Sequence, residues 1–211
     1  MSDEQYFART PRTESSGALR RDVTLTVDGR TLHLATDRGV FSRGELDVGT
    51  RILLDAVPSP PLSGNLLDLG CGWGPIAATM AARAPSATVW AVDVNERAVE
   101  LTRLNAERNH LPNIRAVTDD EIPGSVSFDV IWSNPPVRIG KEQLRRLLST
   151  WLSRLSDSGE AWLVVNRNLG SDSLAVWLSQ SGYRVDRLVS KRGFRVLRVR
   201  PATRAADQPA H

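Results

Sequence analysis

The alternation of strand and helix patterns after residue 65 constrains this chain more than any other feature. Apolar runs such as NLLDLG (65–70) and ATVWAVD (87–93) are each followed by a helical pattern, for example PIAATMAARA (75–84). Strands that alternate with helices of about 10–15 residues are typical of a parallel sheet that helices cover on both faces. We therefore predict an α/β fold with a doubly wound, mostly parallel sheet.

The last two strand patterns differ from the others because no helix separates them. YRVDRLVS (183–190) and FRVLRVR (194–200) are joined by Lys191-Arg192-Gly193, a turn short enough for a hairpin. A hairpin joins antiparallel neighbours. We therefore predict that one strand of the sheet runs against the rest.

The residues before 65 predict a smaller unit. Alternating apolar residues on both sides of Asp28-Gly29 are a strong hairpin signal, and RILLDAV (51–57) has a helical pattern that opens at or near Thr50. PSPPLSG (58–64) has the prolines and glycine typical of a break between elements. We predict an N-terminal arm (1–20), a hairpin, loop and helix packing on the core (21–57), the main domain (65–200) and a disordered tail (201–211).

Polar residues mark the expected starts of two helices in the main domain. Asn95 and Ser171 each stand at the start of a helical pattern. Asparagine and serine side chains accept hydrogen bonds from the free backbone N–H groups at the start of a helix. We predict that both residues cap their helices and that Gly182 ends the second one.

Composition disfavours several classes of protein. The chain has one cysteine, Cys71, so no internal disulfide is possible, and this usage fits a reducing cytoplasm. The three histidines are scattered, so we predict no zinc or other metal site. No run of about 18 apolar residues is present, and the polar first residues lack the apolar region of a secretory signal. We predict a cytoplasmic protein without a membrane span.

Charge gives a weaker indication of the partner. Lysine and arginine number 27 against 24 acidic residues, and every basic residue except Lys141 and Lys191 is arginine. The planar guanidinium group suits phosphate binding and stacking on bases, so this composition is compatible with RNA. A bias in genome composition explains it equally well.

The turn DLGCGWGP, which follows the first strand of the main domain, predicts a ligand site. Gly70, Gly72 and Gly74 can adopt positive φ and let a ligand approach the backbone closely. The dinucleotide motif requires G-x-G-x-x-G, whereas this turn reads G-x-G-x-G with Pro75 next, so NAD is disfavoured. A glycine-rich turn alone is weak evidence, since many α/β proteins bind phosphate with one.

Two acids beside this turn favour a zwitterionic nucleoside over a phosphate ligand. Asp68 precedes the first glycine by two residues, which is unfavourable beside a pyrophosphate but well placed for an ammonium group or a water bound to it. Asp93 ends the next strand, nineteen residues after Gly74, where a carboxylate can accept hydrogen bonds from both hydroxyls of a ribose. S-adenosylmethionine is a nucleoside of this kind.

The strand pattern VIWS (130–133) stops abruptly at Asn134-Pro135-Pro136. Consecutive prolines give no backbone N–H to a sheet, and they impose a rigid, extended exit from the strand. The segment is either a plain strand end or a device that holds an asparagine amide and free carbonyl oxygens in place for chemistry. The glycine turn upstream makes us favour the second interpretation.

Together, DLGCGWGP, AVDVNERAVELTRLNAERN and SNPPVRIGK resemble the class I S-adenosylmethionine-dependent methyltransferases. Within them the chain is similar to the small-subunit ribosomal RNA guanine 2-amino methyltransferase family and its short single-domain relatives. The likeness extends to QYF (5–7), TDRGVFSRGELDVGTRILL (36–54) and KRGFRVLRVR (191–200), so it covers roughly residues 5–200. It implies S-adenosylmethionine as cofactor and a Rossmann-like sheet of seven strands with the last one antiparallel, in agreement with the strand patterns above.

The resemblance also implies which residues bind the cofactor. Asp68 and the three glycines of the turn would surround its methionine part, and Asp93 would hold the ribose hydroxyls. An acid after the third strand would bind the adenine amino group. Asp119 and Asp120 are both available there, and the register of the family favours Asp120.

Asn134, Pro135 and Pro136 would form the catalytic segment. Methyl transfer from a sulfonium is an in-line displacement, so the enzyme mainly has to align the nucleophile. An exocyclic amine of a base is a poor nucleophile because its lone pair is delocalised. Hydrogen bonds from its two N–H groups to the Asn134 side-chain oxygen and the Pro135 carbonyl would favour the pyramidal, positively charged nitrogen of the transition state, with Pro136 keeping both acceptors rigid.

The residues after this segment would face the substrate. Val137 departs from the family, whose members often have an aromatic ring there for stacking on a base. The candidate replacements are Tyr6, Phe7, Phe41 and Trp73. Contacts to RNA phosphates are expected from Arg138 and Lys141, with Arg145 and Arg146 close behind. The alternative for these basic residues is a solvated helix face.

The sequence therefore predicts a methyltransferase that modifies an exocyclic amine of an RNA base, with guanine in small-subunit rRNA as the first candidate and a monomer slightly favoured. A protein glutamine amide, a small-molecule amine and adenine in DNA are alternative substrates. A non-catalytic RNA-binding or assembly factor that keeps the fold is a further alternative. An NAD-dependent oxidoreductase is disfavoured by Pro75.

Overall fold

The computed structural model describes residues 21–37, 45–136 and 139–202. Its strands are β1 (Arg21–Val27), β2 (Arg30–Thr36), β3 (Asn65–Leu69), β4 (Thr88–Val92), β5 (Ile114–Val117), β6 (Phe128–Ser133), β7 (Leu155–Asn166), β8 (Tyr183–Lys191) and β9 (Phe194–Pro201). Its helices are α1 (Val48–Ala56), α2 (Pro75–Arg83), α3 (Glu96–Arg108), α4 (Lys141–Leu152) and α5 (Ser171–Gln180). Single 3₁₀ turns lie at Asp119–Glu121 and Arg167–Leu169.

Seven of the strands form one mixed sheet in the order β5-β4-β3-β6-β7-β9-β8. The neighbours from β5 to β7 are parallel, and β9 is antiparallel to both β7 and β8. The predicted doubly wound sheet with an antiparallel last strand is confirmed. The chain moves outward from β3 to β5 and then returns to β6 on the other side of β3, so the carboxyl ends of β3 and β6 meet at a switch point, where open α/β sheets bind ligands.

Two apolar layers enclose the sheet, because successive residues of its central strands point to opposite faces. Leu66 and Val130 belong to the layer formed with the hairpin, α1, α2 and α3, whereas Leu67 and Ile131 belong to the layer formed with α4 and α5. This burial on both faces explains why the central strands are continuous apolar runs. Within the described ranges, no helix combines the length and apolarity needed to cross a membrane.

The N-terminal hairpin, β1 and β2, turns at Asp28-Gly29 as predicted. Asn105 of α3 and Asn109, the C-terminal cap of the same helix, attach it to the main domain. Asn105 Oδ1 accepts from the Ala35 N–H at 2.7 Å, and its Nδ2 donates to the Ala35 carbonyl at 2.9 Å. Asn109, one turn later, makes the same pair of bonds with the backbone of His33, at 2.8 and 2.9 Å. The two amides therefore satisfy the open edge of β2, as a neighbouring strand would.

The helix starts agree with the sequence in two cases and correct it in one. Asn95 caps α3, because its side chain accepts from the Arg97 N–H at 3.0 Å. Helix α1 begins at Val48, near Thr50 as predicted, and Asp47 is its cap. The prediction for Ser171 was wrong: the cap of α5 is Gly170, with φ of 100°, and Ser171 is the first helical residue. Helix α5 ends just before Gly182, as predicted.

Candidate active site

The glycine turn leads from the carboxyl end of β3 into α2 and is bonded to the carboxyl end of β4. Gly70, Gly72 and Gly74 all have positive φ, at 78°, 57° and 85°. The N–H groups of Gly70 and Cys71 both donate to the carbonyl of Val92, at 2.8 and 2.9 Å, which fixes the turn on the end of β4. The turn therefore lies at the switch-point edge of the sheet.

Gly74 has a packing reason to be glycine. A Cβ at this position would come within 2.9 Å of the Thr102 side chain in α3. Its positive φ is also a backbone conformation that favours glycine. These contacts explain the third glycine of the turn through helix packing, and its predicted contact with the cofactor stays a prediction.

Asp68 is a strongly perturbed titratable group of the site. Its side chain is fully buried at the end of β3, where Oδ2 accepts from the Ala77 N–H at 2.9 Å. Its other oxygen, Oδ1, has no hydrogen-bond partner among the residues that the structure describes. Burial disfavours the charged form and raises the pKa of Asp68 to about 8. An unpartnered carboxyl oxygen in such a place fits an ammonium group, or a water bound to one.

Asp93 joins the glycine turn to the start of α3. Its Oδ2 accepts from the Gly72 N–H at 3.0 Å, and its Oδ1 accepts from the Asn95 N–H at 2.9 Å. Burial raises the pKa of Asp93 above its ordinary value, against the lowering effect of these backbone donors. Each oxygen has a second lone pair, so the carboxylate can still accept hydrogen bonds from a diol.

Asp119 and Asp120 lie in the 3₁₀ turn that follows β5, two strands away from β3. Both are exposed, and the Thr118 hydroxyl donates to Asp120 Oδ1 at 2.6 Å. A nucleoside that extends from Asp93 towards β5 would bring its base to this turn. The adenine role of Asp120 stays a prediction.

Asn134 lies at the end of β6, beside β3. The Ser133 hydroxyl donates to the Leu69 carbonyl at 2.7 Å and ties the two strand ends together. The Asn134 Nδ2 group donates to Asp47 Oδ1 at 2.7 Å and to Thr50 Oγ1 at 3.0 Å. Both hydrogens of the amide nitrogen are therefore used by the first turn of α1, and the amide oxygen faces away from it.

Pro135 and Pro136 continue from Asn134 along the glycine turn. Among the described residues, a Cβ placed on Gly70 would meet Pro136 Cδ, at 4.0 Å. The predicted catalytic segment and the predicted cofactor turn are therefore direct neighbours. Val137 and Arg138, the next two predicted residues, lie outside the described residues.

The first turn of α1 is a part of the site that sequence reasoning missed. Asp47 caps the helix by accepting from the Thr50 N–H at 3.0 Å. A Cβ on Gly49 would lie 2.9 Å from Cε1 of Phe194, so the ring of Phe194 packs directly against this turn. An aspartate just before an apolar helical run is a recognised cap signal, but its bond to a residue 87 positions away has no sequence signal.

One of the four candidates for base stacking, Trp73, was wrong. Trp73 is only 2% exposed and belongs to the core between the sheet and α3, so its ring cannot stack on a substrate. The glycine turn directs the Trp73 side chain inward. The backbone carbonyl of Trp73 accepts from Asn105 Nδ2 at 2.7 Å. Tyr6, Phe7 and Phe41 lie outside the described residues.

The basic residues of α4 differ in their partners. Lys141 is the first residue of α4 and has no salt bridge within the described ranges. Arg145 lies over the Trp177 ring at 5.5 Å, and Arg146 pairs with Glu142 at 2.6 Å. Of these three, Lys141 is the cation that is most available to a ligand.

Three further basic residues lie at the same edge of the sheet. Arg167 follows β7, and Lys191 and Arg192 form the β8–β9 turn, which reaches the carboxyl end of β7 because Asn166 pairs with Phe194. The Arg167 N–H donates to the Gly193 carbonyl at 2.7 Å. All three cations are exposed, and none forms a salt bridge in the described part of the chain. The sequence contained them, but only the sheet order shows that they lie at the same edge of the sheet as Asn134.

A doubly wound sheet of this order, with a glycine turn and acids at its switch point, defines the class I S-adenosylmethionine-dependent methyltransferase fold. Residues 31–198 match the family model described as methyltransferase small domain, and the chain belongs to that family. The cofactor is S-adenosylmethionine, and the unpartnered oxygen of Asp68 fits the ammonium group of its methionine part.

Several known proteins are similar to this chain. A Bacillus subtilis (strain 168) protein, the uncharacterized YbxB, is 31% identical over 200 residues, which are 93% of this chain and 98% of that one. Ribosomal RNA small subunit methyltransferase C of Vibrio vulnificus is 33% identical over 150 residues, 69% of this chain and 44% of its own length. The Hahella chejuensis methyltransferase of the same name is 38% identical over 144 residues, 66% of this chain and 42% of its own length.

A solved structure has the same fold. The T. thermophilus 16S rRNA N2 methyltransferase RsmC, in complex with AdoMet and guanosine, superposes with a TM-score of 0.75. It is 24% identical and covers 87% of this chain, which spans 51% of that one. This chain thus spans about half the length of the methyltransferase C relatives that it matches.

Proposed function

We propose that this protein transfers the methyl group of S-adenosylmethionine to an exocyclic amine of an RNA base, with guanine in small-subunit rRNA as the first candidate. The observation that carries the proposal is the orientation of Asn134. Its amide nitrogen is bonded to Asp47 and Thr50, so its oxygen is available as an acceptor beside the glycine turn. The curated relatives named as small-subunit rRNA methyltransferases support the substrate class.

The chain's residues act mainly by holding the nucleophile. S-adenosylmethionine supplies a methyl group that is already activated on a sulfonium. The substrate amine donates one N–H to Asn134 Oδ1 and the other to the Pro135 carbonyl, and these bonds strengthen as positive charge develops on the nitrogen. Pro136 prevents the segment from rearranging. As the nitrogen–methyl bond forms, the methyl–sulfur bond would break with its electron pair going to sulfur, and S-adenosylhomocysteine would leave. The proton on the methylated nitrogen is then acidic and passes to water, so no general base is required.

The charge around the site supports RNA over a protein substrate. Lys141, Arg167, Lys191 and Arg192 surround the carboxyl edge of the sheet on the side of β6 to β9. Exposed cations without salt-bridge partners are suited to phosphate groups, which fix the position of a nucleic acid without reading its sequence. A cytoplasmic location follows from this proposal and agrees with the single free Cys71.

The proposal is tested by radiolabelled methyl transfer. Purified protein is incubated with labelled S-adenosylmethionine and, in parallel, with protein-free rRNA, small ribosomal subunits, total cell protein and DNA. The expected result is label in small-subunit rRNA, and nucleoside digestion should yield an N2-methylated guanosine. Label in protein would favour a glutamine amide as substrate. If none of these substrates is labelled although the protein binds the cofactor tightly, a non-catalytic RNA-binding factor would be favoured.

A further inference from the structure

The first turn of α1 and the end of β6 form one hydrogen-bonded cluster. Asp47 Oδ1 accepts from both the Thr50 N–H and the Asn134 Nδ2 group, at 3.0 and 2.7 Å. The hydroxyl of Thr50, a residue only 5% exposed, accepts from the same Nδ2 group at 3.0 Å. The three residues are therefore linked in a closed ring of hydrogen bonds, in which Thr50 takes part with both its backbone N–H and its hydroxyl.

The chemistry of the partners permits only one orientation of the Asn134 amide. A carboxylate is an acceptor without a donor, so the amide nitrogen has to face Asp47. Rotating the amide by half a turn would set its oxygen against Asp47 Oδ1 at the present 2.7 Å separation, an approach of two acceptors that is repulsive. The orientation of Asn134 is thus fixed by residue 47.

The negative charge of Asp47 adds a second effect. A hydrogen bond from an amide N–H to an ionised acceptor polarises the amide and makes its oxygen a stronger acceptor. The oxygen is the atom that would accept from the substrate amine, whose nitrogen becomes positive in the transition state. Asp47 can therefore favour the transition state without touching the substrate.

The cluster is held by a rigid element rather than by a loop. Asp47 is the cap of α1, and this helix packs through Ile52 and Leu53 in the core layer beside β7 and β9. The ring of Phe194 blocks movement of the first turn at Gly49. A group held in this way keeps its direction when substrate enters.

We infer that Asp47 and Thr50 are positioning residues, which aim the Asn134 amide oxygen at the substrate amine and strengthen it as an acceptor. This inference rests on the proposed function. It extends the candidate active site to a helix cap that lies 87 residues before Asn134 in the sequence.

Four variants separate positioning from folding. Asp47→Asn keeps a cap and an acceptor for Asn134 but removes the charge. Asp47→Ser keeps a cap for the Thr50 N–H, while its shorter side chain does not reach Asn134. Thr50→Val removes the hydroxyl at nearly constant shape, and Thr50→Ser restores it. Asp55→Asn is the matched control, because it removes an exposed charge from the same helix.

The expected result is a loss in kcat with little change in KM or cofactor affinity. Asp47→Ser should lower kcat about ten- to hundredfold, as expected for one charge-assisted hydrogen bond, and Asp47→Asn about tenfold. Thr50→Val should lower kcat by about three- to tenfold, with recovery in Thr50→Ser. An Asp47→Ser protein with wild-type kcat, or a Thr50→Ser protein no better than Thr50→Val, would overturn the inference.

A readout that needs no activity tests the same cluster. In ¹⁵N-labelled protein, the side-chain NH₂ signal of Asn134 is assigned by its loss in Asn134→Ala. It should exchange slowly with solvent in the wild type and in Asp55→Asn, and much faster in Asp47→Ser. Fast exchange in the wild type would overturn the inference. If no substrate is methylated but exchange follows this pattern, the cluster stands and the proposed function fails.

Discussion

The proposed cofactor half of this site and its proposed substrate half are built in different ways. The cofactor half comes from a short stretch of chain, since Asp68, the glycine turn and Asp93 lie within 26 consecutive residues and contact one another. The substrate half joins the cap of α1, the end of β6 and the β8–β9 turn, which are distant in the sequence. A local motif can be recognised from the sequence, whereas an assembled surface appears only when the fold is known.

The largest expected effect is a loss of methyl transfer without a loss of cofactor binding, which distinguishes the substrate half from the cofactor half. Asn134→Ala should abolish detectable transfer, a loss of at least about 10²–10³-fold in kcat, because one acceptor for the developing charge is gone. Cofactor affinity, measured by calorimetry, should stay within a few-fold. Asn168→Ala, which removes an exposed amide near the same edge, is the control. Loss of cofactor binding in Asn134→Ala would mean that Asn134 belongs to the other half.

A substitution in the cofactor half should have the opposite result, a loss of cofactor affinity. Asp93→Ala should weaken binding of S-adenosylmethionine, because each charge-assisted hydrogen bond that is removed contributes ~1.5–3 kcal/mol. Asp93→Asn keeps one acceptor for the turn, so its affinity should fall between those of the wild type and Asp93→Ala. Calorimetry measures the affinity, and a thermal melt checks that the turn still folds. An unchanged dissociation constant in Asp93→Ala would refute the ribose assignment.

The pH dependence of cofactor binding tests the role of Asp68 in the same half. Burial raises the pKa of Asp68 to about 8, so in the free protein the group is largely protonated at neutral pH. An ammonium ligand favours the ionised form, and binding below pH 8 therefore releases a proton. Affinity should rise by up to about tenfold per pH unit towards pH 8 and then level off.

Asp68→Asn is the control for this titration, because it keeps the shape of the side chain and cannot ionise. Its cofactor affinity should show no rise towards pH 8, and proton release should vanish when binding is measured in buffers of different ionisation enthalpy. The folded-state pKa lies above the unfolded value, so the stability that Asp68 contributes to the free protein is present at low pH and lost as the pH rises through about 8. Identical pH profiles for the wild type and Asp68→Asn would show that Asp68 does not bind the ammonium group.

The sequence predicted the sheet, the turn and the cap at Asn95, because each depends on neighbouring residues. It offered Trp73 as one of four candidates for stacking on the substrate, although the ring is buried. The sequence of a turn does not define the direction of its side chains. Asn105 and Asn109 were predicted only as part of a helix, yet they hold the hairpin. Such interactions depend on how distant elements meet, and a single sequence carries no signal for them.

The smallest expected effect concerns the basic edge of the substrate half. Replacing Arg167, Lys191 and Arg192 with glutamine should weaken RNA binding most at low salt, because fewer counterions are released. The slope of log K against log salt should fall by ~0.7 for each phosphate of single-stranded RNA that the protein no longer neutralises. Arg146→Gln is the matched control, since Arg146 already pairs with Glu142. Equal slopes for the triple variant and the wild type would show that these three residues do not contact RNA phosphates.

The central claim is that the amine is held between an amide oxygen and a prolyl carbonyl, next to the donor's methyl group. A crystal structure with S-adenosylhomocysteine and a guanine nucleoside tests it most directly. We expect the exocyclic nitrogen within hydrogen-bond distance of Asn134 Oδ1 and the Pro135 carbonyl, and the Asn134 Nδ2 group still on Asp47. A nucleoside whose amine lies elsewhere, or an Asn134 amide whose nitrogen faces the ligand, would contradict the account.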